Sequence, residues 1–252
     1  MAMNPLRGRA IVRVLALISI ISPAAAFAQA PAAPPPPPRR EGTAEFAFVG
    51  TTGNASTQTI GLGGDVIYRP SPWTLRNRAA FVRSKADSEL KAKSLLFVSR
   101  AERALNPRLG TFGEYGYFRD RFAGVAHRNA LMGGVSYKLV NLAAHQLAVD
   151  GGLGYLNERR LVGDDVSSAT YGTGATYRWK LSDTAQVSDD ARFTGTFADG
   201  DDWRVVQAAA VTARLTTLFS LKVANAIGYV HRPVPGFKST DTNTSIALVA
   251  KF

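Results

Sequence analysis

The chain has 252 residues, enough for one large all-β domain, and its lysines and arginines exceed its acids to give a formal charge of +11. It contains no cysteine, which excludes disulfide bonds and thiolate metal sites. A basic excess is typical of proteins that meet nucleic acids, acidic lipid headgroups or anionic solutes, and the targeting signal decides among these.

Residues 1–28 have the organisation of a secretory signal peptide. Arg7, Arg9 and Arg13 precede the apolar segment Val14–Ile21, and Ala26–Ala28 is a small-x-small cleavage site. The apolar segment is too short to span a bilayer comfortably. We therefore expect export with cleavage after Ala28, and no nucleic-acid partner.

A proline-rich linker is predicted over residues 29–42. Proline fixes φ and lacks the backbone donor, so the run at 31–38 favours an extended polyproline II spacer. A passive tether is the favoured interpretation, and contact with a periplasmic partner is the alternative.

The remainder, residues 43–252, alternates apolar with polar or small residues in segments of strand length. In the clearest segment Tyr171, Tyr177 and Trp179 share one face and Arg178 and Lys180 the other. Twelve strands are predicted, at about 43–52, 56–69, 73–85, 90–105, 109–120, 128–140, 145–158, 167–181, 184–198, 202–216, 218–232 and 240–252.

A soluble sandwich also alternates, but three features favour a transmembrane antiparallel β-barrel of about twelve strands. The segments have the length that crosses a bilayer at a tilt. Short connections, such as 70–72 and 181–183, alternate with longer polar ones, predicted at 84–90, 121–127, 159–167, 198–203 and 232–240. The chain ends on Phe252, which shares a face with Ile246, Leu248 and Ala250. We expect the outer membrane of a Gram-negative bacterium, with aromatic girdles and both chain ends periplasmic.

Three motifs resemble a known family. They are Gly53–Thr57, the Tyr115–Gly124 block followed by His127 and Arg128, and Gly151–Tyr155 with Glu158. Over about 45–252 the chain is similar to the YdiY-like family of salt-induced outer-membrane proteins, a domain of unknown function. The resemblance implies an outer-membrane barrel, supplies no catalytic residues and associates the chain with salt stress.

The lumen is the leading candidate for function. The predicted inner cations are Arg76, Arg78, Arg100, Arg178, Lys180, Arg192 and Lys222, and the inner acids are Glu45, Asp65, Glu102, Asp150, Glu158 and Asp190. They form either an ion-pair network that fills and braces the barrel, or a basic track in a narrow channel for small anionic solutes. Arg76, Arg78, Arg100, Arg178 and Arg192 are the luminal binding candidates.

A second candidate is an outer-loop charge cluster of Asp120, Arg121 and Arg128, with Arg119 beside it. It either braces the loop by ion pairs or binds lipopolysaccharide phosphates through arginine forks. The loop acids at 164–165 and 199–202 match no known cation loop, so exposed loop tips are expected there.

A hydrolase is the competing class. His127, His145 and His231 are the histidines, and their spacing specifies no catalytic triad. We expect a non-enzyme without cofactor or metal, and with outer-membrane lipid, lipopolysaccharide and the barrel-assembly machinery, through Phe252, as partners. A structural envelope protein with a filled lumen stays open as the third class.

Overall fold

The computed structural model describes residues 38–51 and 57–252. The predicted signal peptide, most of the linker and residues 53–56 of the first family motif lie outside this part. Twelve antiparallel strands form a closed barrel in which each strand pairs with its sequence neighbours and β1 pairs with β12. The strands are β1 Arg40–Thr51, β2 Thr57–Tyr68, β3 Trp73–Ala86, β4 Glu89–Ala104, β5 Leu109–Asp120, β6 Val125–Asn141, β7 His145–Arg160, β8 Val166–Lys180, β9 Ala185–Thr196, β10 Trp203–Arg214, β11 Phe219–Val230 and β12 Thr240–Lys251.

The predicted fold class is confirmed, and every predicted strand is found with its ends shifted by at most three residues. Shifts of three residues occur at the start of β6 and at the start of β1, which begins at Arg40, inside the predicted linker. Arg40 and Glu41 pair with Tyr68 and Ile67 at the end of β2. Without this pairing, the backbone N–H and C=O groups on that edge of β2 would have no hydrogen-bond partner in the sheet. A short 3₁₀ helix spans Arg121–Ala123. No helix in the described part of the chain is long and apolar enough to cross a membrane.

The two faces of the wall differ sharply in chemistry. The outer face exposes apolar side chains around the barrel, among them Phe46, Leu62, Phe97, Leu131, Val135, Leu153, Leu221 and Ile246. The inner face carries the ion-paired arginines and carboxylates described below. An apolar exterior around a polar interior is the reverse of a soluble protein and is typical of a barrel in lipid.

The barrel has two unlike rims. At the terminal rim, where β1 begins and β12 ends, the five connections 69–72, 105–108, 142–144, 181–184 and 215–218 are all short. The opposite loop rim carries the longest connections, at 161–165, 197–202 and 231–239. The long loop predicted at 84–90 is wrong, since Asp87 and Ser88 alone join β3 to β4. Both have positive φ (48° and 67°), as a two-residue hairpin turn requires.

Closure at the terminal rim depends on the last residue. Gly42 and Phe252 exchange two backbone hydrogen bonds of 2.8 and 2.9 Å, and the Phe252 ring lies against Gly42. A β-carbon at Gly42 would stand 2.3 Å from the ring, so only glycine leaves room for it. The C-terminal aromatic residue therefore packs directly on the first strand.

We expect Gly42→Ala to lower the stability of the folded barrel by about 1–3 kcal/mol, the usual cost of overpacking. Unfolding in urea and the temperature at which the compact form is lost on gels measure the effect. Gly113→Ala on the outer face of β5 is the control, because a β-carbon there meets nothing within 4 Å. Equal stability of the two variants would contradict this account of closure.

Candidate functional site: the charged lumen

The luminal binding candidates lie inside the barrel, and each has a carboxylate partner. Arg76 and Arg78 of β3 both contact Asp65, at 2.7 and 3.1 Å. Arg178 contacts Asp190 at 3.0 Å. The predicted inner residues Lys222 and Glu45 also pair, at 2.8 Å. The lumen therefore presents arginines that already have partners.

A central cluster joins strands on different sides of the lumen. Arg100 of β4 contacts Glu114 of β5 at 3.2 Å and Asp150 of β7 at 3.3 Å. Arg192 of β9 reaches the same two carboxylates at 3.6 Å. Arg100 also contacts Glu102 and lies 3.8 Å from the centre of the Phe112 ring. These ion pairs link β4 to β9 and fill this side of the interior.

Glu114 is an addition to the predicted set, since the alternation of β5 did not fix which face points inward. The Asp150 Oδ1 atom is buried without a hydrogen-bond partner among the described atoms, although Oδ2 contacts both arginines. A buried carboxylate oxygen normally has a donor.

The other side of the lumen is open. The Arg76 and Arg78 side chains stay 37% and 41% exposed, against 16% for Arg100. Two inward-facing apolar residues, Val49 of β1 and Val206 of β10, are 54% and 50% exposed. The interior is therefore asymmetric, with a packed central cluster along β4–β9 and exposed inner side chains on β1, β3 and β10, while Ala210, Ala247 and Val249 on the inner faces of β10 and β12 are buried.

A second ionic cluster, the loop-rim cluster, surrounds Glu158, which is only 2% exposed. Its carboxylate is contacted by Arg128 at 2.5 Å, Arg160 at 2.8 Å and Arg204 at 3.1 Å. Arg204 also contacts Asp202, which is buried. Three arginines around two acids brace β6, β7 and β10 at the loop rim.

The predicted outer-loop cluster is not assembled. Asp120 caps the 3₁₀ helix by accepting hydrogen bonds from the backbone N–H groups of Phe122 and Ala123. Arg121 lies exposed in the helix, while Arg128 turns inward to Glu158. The three residues separate because Asp120 caps the helix, Arg121 lies within it and Glu158 draws Arg128 inward.

The prediction that Asp202 lies at an exposed loop tip is wrong, because the inward-facing Arg204 forms an ion pair with it. The other acids of that loop, Asp199 and Asp201, remain at the surface and contact Arg232. Beside them a cleft of about 250 Å³ is lined by Arg160, Ser167, Thr196, Asp199 and Arg232, among others. It is a small polar recess on the loop rim.

At the terminal rim, Lys180 lies outside the luminal network. It contacts Asp183 in the adjacent turn at 2.6 Å, and this hydrogen bond lowers the pKa of the Asp183 carboxyl.

Two of the three histidines, His145 and His231, lie among aromatic side chains. His145 hydrogen-bonds the Tyr177 hydroxyl at 2.9 Å and stacks on Trp179 at the terminal rim. His231 stacks on Trp203, with ring centres 4.8 Å apart, at the loop rim.

Residues 44–252 match a single family, described as "Protein of unknown function, DUF481". The chain belongs to this family. A comparison with curated proteins gives no match. Membership covers the barrel almost entirely, and the family's description assigns it no activity.

Among solved structures, the chain is similar to the NanC porin, with 8% identity and a TM-score of 0.47 over 84% of this chain and 97% of that one. It is similar to the COG4313 outer membrane channel from Pseudomonas putida F1, with 11% identity and a TM-score of 0.47 over 84% and 94%. It is also similar to the KdgM porin, with 7% identity and a TM-score of 0.42 over 84% and 98%. At such values we transfer no function from them.

We expect Glu158→Gln to destabilise the barrel by about 3–5 kcal/mol, because it leaves buried arginines without their shared carboxylate. Urea unfolding of the refolded protein measures this loss. Arg232→Gln removes an exposed arginine that also contacts two acids and should cost less than about 1 kcal/mol. A loss no larger for Glu158→Gln than for this control would refute the bracing role of the loop-rim cluster.

Proposed function

We propose that the protein is an outer-membrane β-barrel whose lumen is a narrow aqueous passage for small solutes. The observation that carries the proposal is the asymmetric interior. The Arg76 and Arg78 side chains and the inner face of Val206 remain exposed along one side, beside a packed ionic cluster on the other. A barrel of twelve strands lies between small filled barrels and wide porins, so a partly filled lumen fits its size.

The apolar exterior supports the membrane setting. Aromatic side chains on the outer face lie near both rims, among them Trp73, Tyr137 and Trp179 at the terminal rim and Tyr155, Phe197 and Tyr229 at the loop rim. Such girdles sit at the two lipid–water interfaces. Within this setting, lipopolysaccharide contacts at the loop rim and recognition of Phe252 by the assembly machinery are part of the proposal.

Anion preference follows from the distribution of charge. Arg76 and Arg78 share the single carboxylate of Asp65 and are therefore locally in positive excess on the open side. The central cluster has the opposite balance, because Arg100 and Arg192 face three acids. A solute in the passage would meet a positive region of the wall on β3 beside the negative central cluster, since Arg76 is the cross-strand neighbour of Arg100, and this arrangement favours small anions weakly and orients dipolar molecules.

A structural barrel without transport is the second candidate. The cross-lumen contacts of Arg100 and Arg192 favour it, since they join β4, β5, β7 and β9 and stiffen the wall. The salt-stress role implied by the family resemblance fits this candidate as well as it fits transport. Catalysis is not part of either proposal.

Planar-bilayer recording of the refolded protein tests the passage. We expect small, stable conductance steps with a modest anion preference. The double variant Arg76→Gln/Arg78→Gln should lower the anion preference while steps persist, because it removes the positive wall. Arg83→Gln is the matched control, since Arg83 lies on the same strand but on the outer face.

Absence of current from a folded barrel would favour the structural candidate. In that case Arg100→Ala/Arg192→Ala, which removes the central cluster, should create conductance. An anion preference that is identical in wild type and Arg76→Gln/Arg78→Gln would contradict the proposed basic wall.

A further inference from the structure

The barrel closes along a short seam. Between β1 and β12 the register pairs only Thr43–Phe46 with Leu248–Lys251, followed by the Gly42–Phe252 pair at the terminal rim. In the described part of the chain each of the other neighbouring strand pairs has eleven or more residues in register, for example β1 with β2 and β10 with β11. The seam is therefore paired only in its half toward the terminal rim.

In the other half the two strands diverge. Among the described residues, 47–51 of β1 have register partners only on β2, and 240–247 of β12 have partners only on β11. Residues 240–244 are exposed on both faces of β12, and the inward-facing Val49 is 54% exposed. This unpaired half of the seam is an interruption in the barrel wall.

Such an interruption is costly in lipid. Backbone N–H and C=O groups at hydrocarbon depth must be paired, and an open strand edge leaves them unsatisfied unless water or a molecule occupies it. Yet the sequence would allow the edges to meet. Continuing the register would pair Ala47 with Ala247 on the inner face and Phe48 with Ile246 on the outer face. Both residues of each pair point to the same side of the wall. The seam can therefore close without moving any side chain from one face of the sheet to the other.

The unpaired half opens onto the accessible side of the lumen. Val49 lies on its inner edge, and the inward-facing Val206 of β10 lies at the level of the unpaired half, because it pairs with Gly228 of β11, which pairs with Asp241 of β12. The inner face of β12 adds the polar residues Asp241, Asn243 and Ser245, whereas the outer face offers Phe48 and Ile246. Polar groups thus lie on the luminal side of the opening and apolar groups on the lipid side.

We propose that the unpaired half of the β1–β12 seam is a lateral opening through which a single-chain amphiphile passes between the lumen and the membrane. Its polar head stays on the luminal side, beside the polar face of β12 formed by Asp241, Asn243 and Ser245. Its acyl chain leaves between the β1 and β12 edges, past Phe48 and Ile246. This inference rests on the aqueous passage proposed above and names a solute class for it.

A reversible lock on the seam tests the opening. The native chain has no cysteine, so Ala47→Cys/Ala247→Cys introduces a single disulfide. Gly42 and Phe252 form a hydrogen-bonded pair, and alternation makes Ala47–Ala247 a non-hydrogen-bonded pair on closure, with α-carbons close enough for a disulfide. Thr43→Cys/Lys251→Cys, in the half that is already paired, is the matched control.

The probes are radiolabelled dodecanoate, taken up by cells carrying the protein in their outer membrane, and chloride current through the purified barrel. Oxidation of Ala47→Cys/Ala247→Cys should reduce dodecanoate uptake to that of cells without the protein, and a reductant should restore it. Chloride current should persist in both states, and the control pair should change neither readout. Loss of chloride current while uptake remains sensitive to oxidation would therefore contradict the aqueous passage alone. Unchanged dodecanoate uptake in the oxidised variant would overturn the lateral opening.

Spin labels give a measurement that does not depend on disulfide formation. Labels at Phe48→Cys/Ile246→Cys should be farther apart, with a broader distribution, than labels at the paired positions in Ala44→Cys/Ala250→Cys. A narrow distance equal to that of the control would mean a closed seam and overturn the proposal. Disulfide dimers formed by Ala47→Cys alone would identify the open edge as an interface between copies and would also overturn it.

Discussion

The architecture depends on one constraint, which is that backbone groups inside a bilayer must find partners within the protein. A sheet satisfies this constraint only by closing on itself, so the first strand must meet the last. Here that meeting is made by Phe252, whose backbone pairs with Gly42 and whose ring occupies the space a side chain would need there. Closure is complete at the terminal rim and incomplete toward the loop rim, which makes the seam the least satisfied part of the wall.

Closure also dictates the chemistry of the interior. Alternating residues turn outward to lipid, so the polar half of every strand must share one confined space. Charges in such a space need partners, because desolvation of an unpaired ion costs several kcal/mol. Arg100 and Arg192 meet this need by sharing Glu114 and Asp150 across strands, and three arginines converge on Glu158 near the loop rim. The same ion pairs that stabilise the barrel also occupy space in its lumen and so narrow the passage.

The asymmetry of these clusters connects the two proposals. The packed side of the lumen lies along β4–β9, and the exposed Arg76 and Arg78 lie on β3, between this side and β2, which neighbours the seam strand β1. A solute would be restricted to the open side, where a positive excess meets it. If that solute carries an acyl chain, the gap in the wall lies where the chain would have to leave.

The sequence by itself determined the twelve strands, their bounds to within three residues and the inner face of the best-alternating ones, because a strand in lipid needs a period of two and a fixed minimum length. It also placed Arg76, Arg78, Arg100, Arg178 and Arg192 inside. Only the tertiary structure decided which charges meet. The sequence did not predict the ion pairs made by Glu114, Arg128, Arg204 and Asp202. The contacts of a luminal side chain depend on the stagger of the strands and on residues far along the chain. The seam was likewise hidden from the sequence, since the residues along β1 and β12 are compatible with full pairing and only the closed geometry leaves half of them apart.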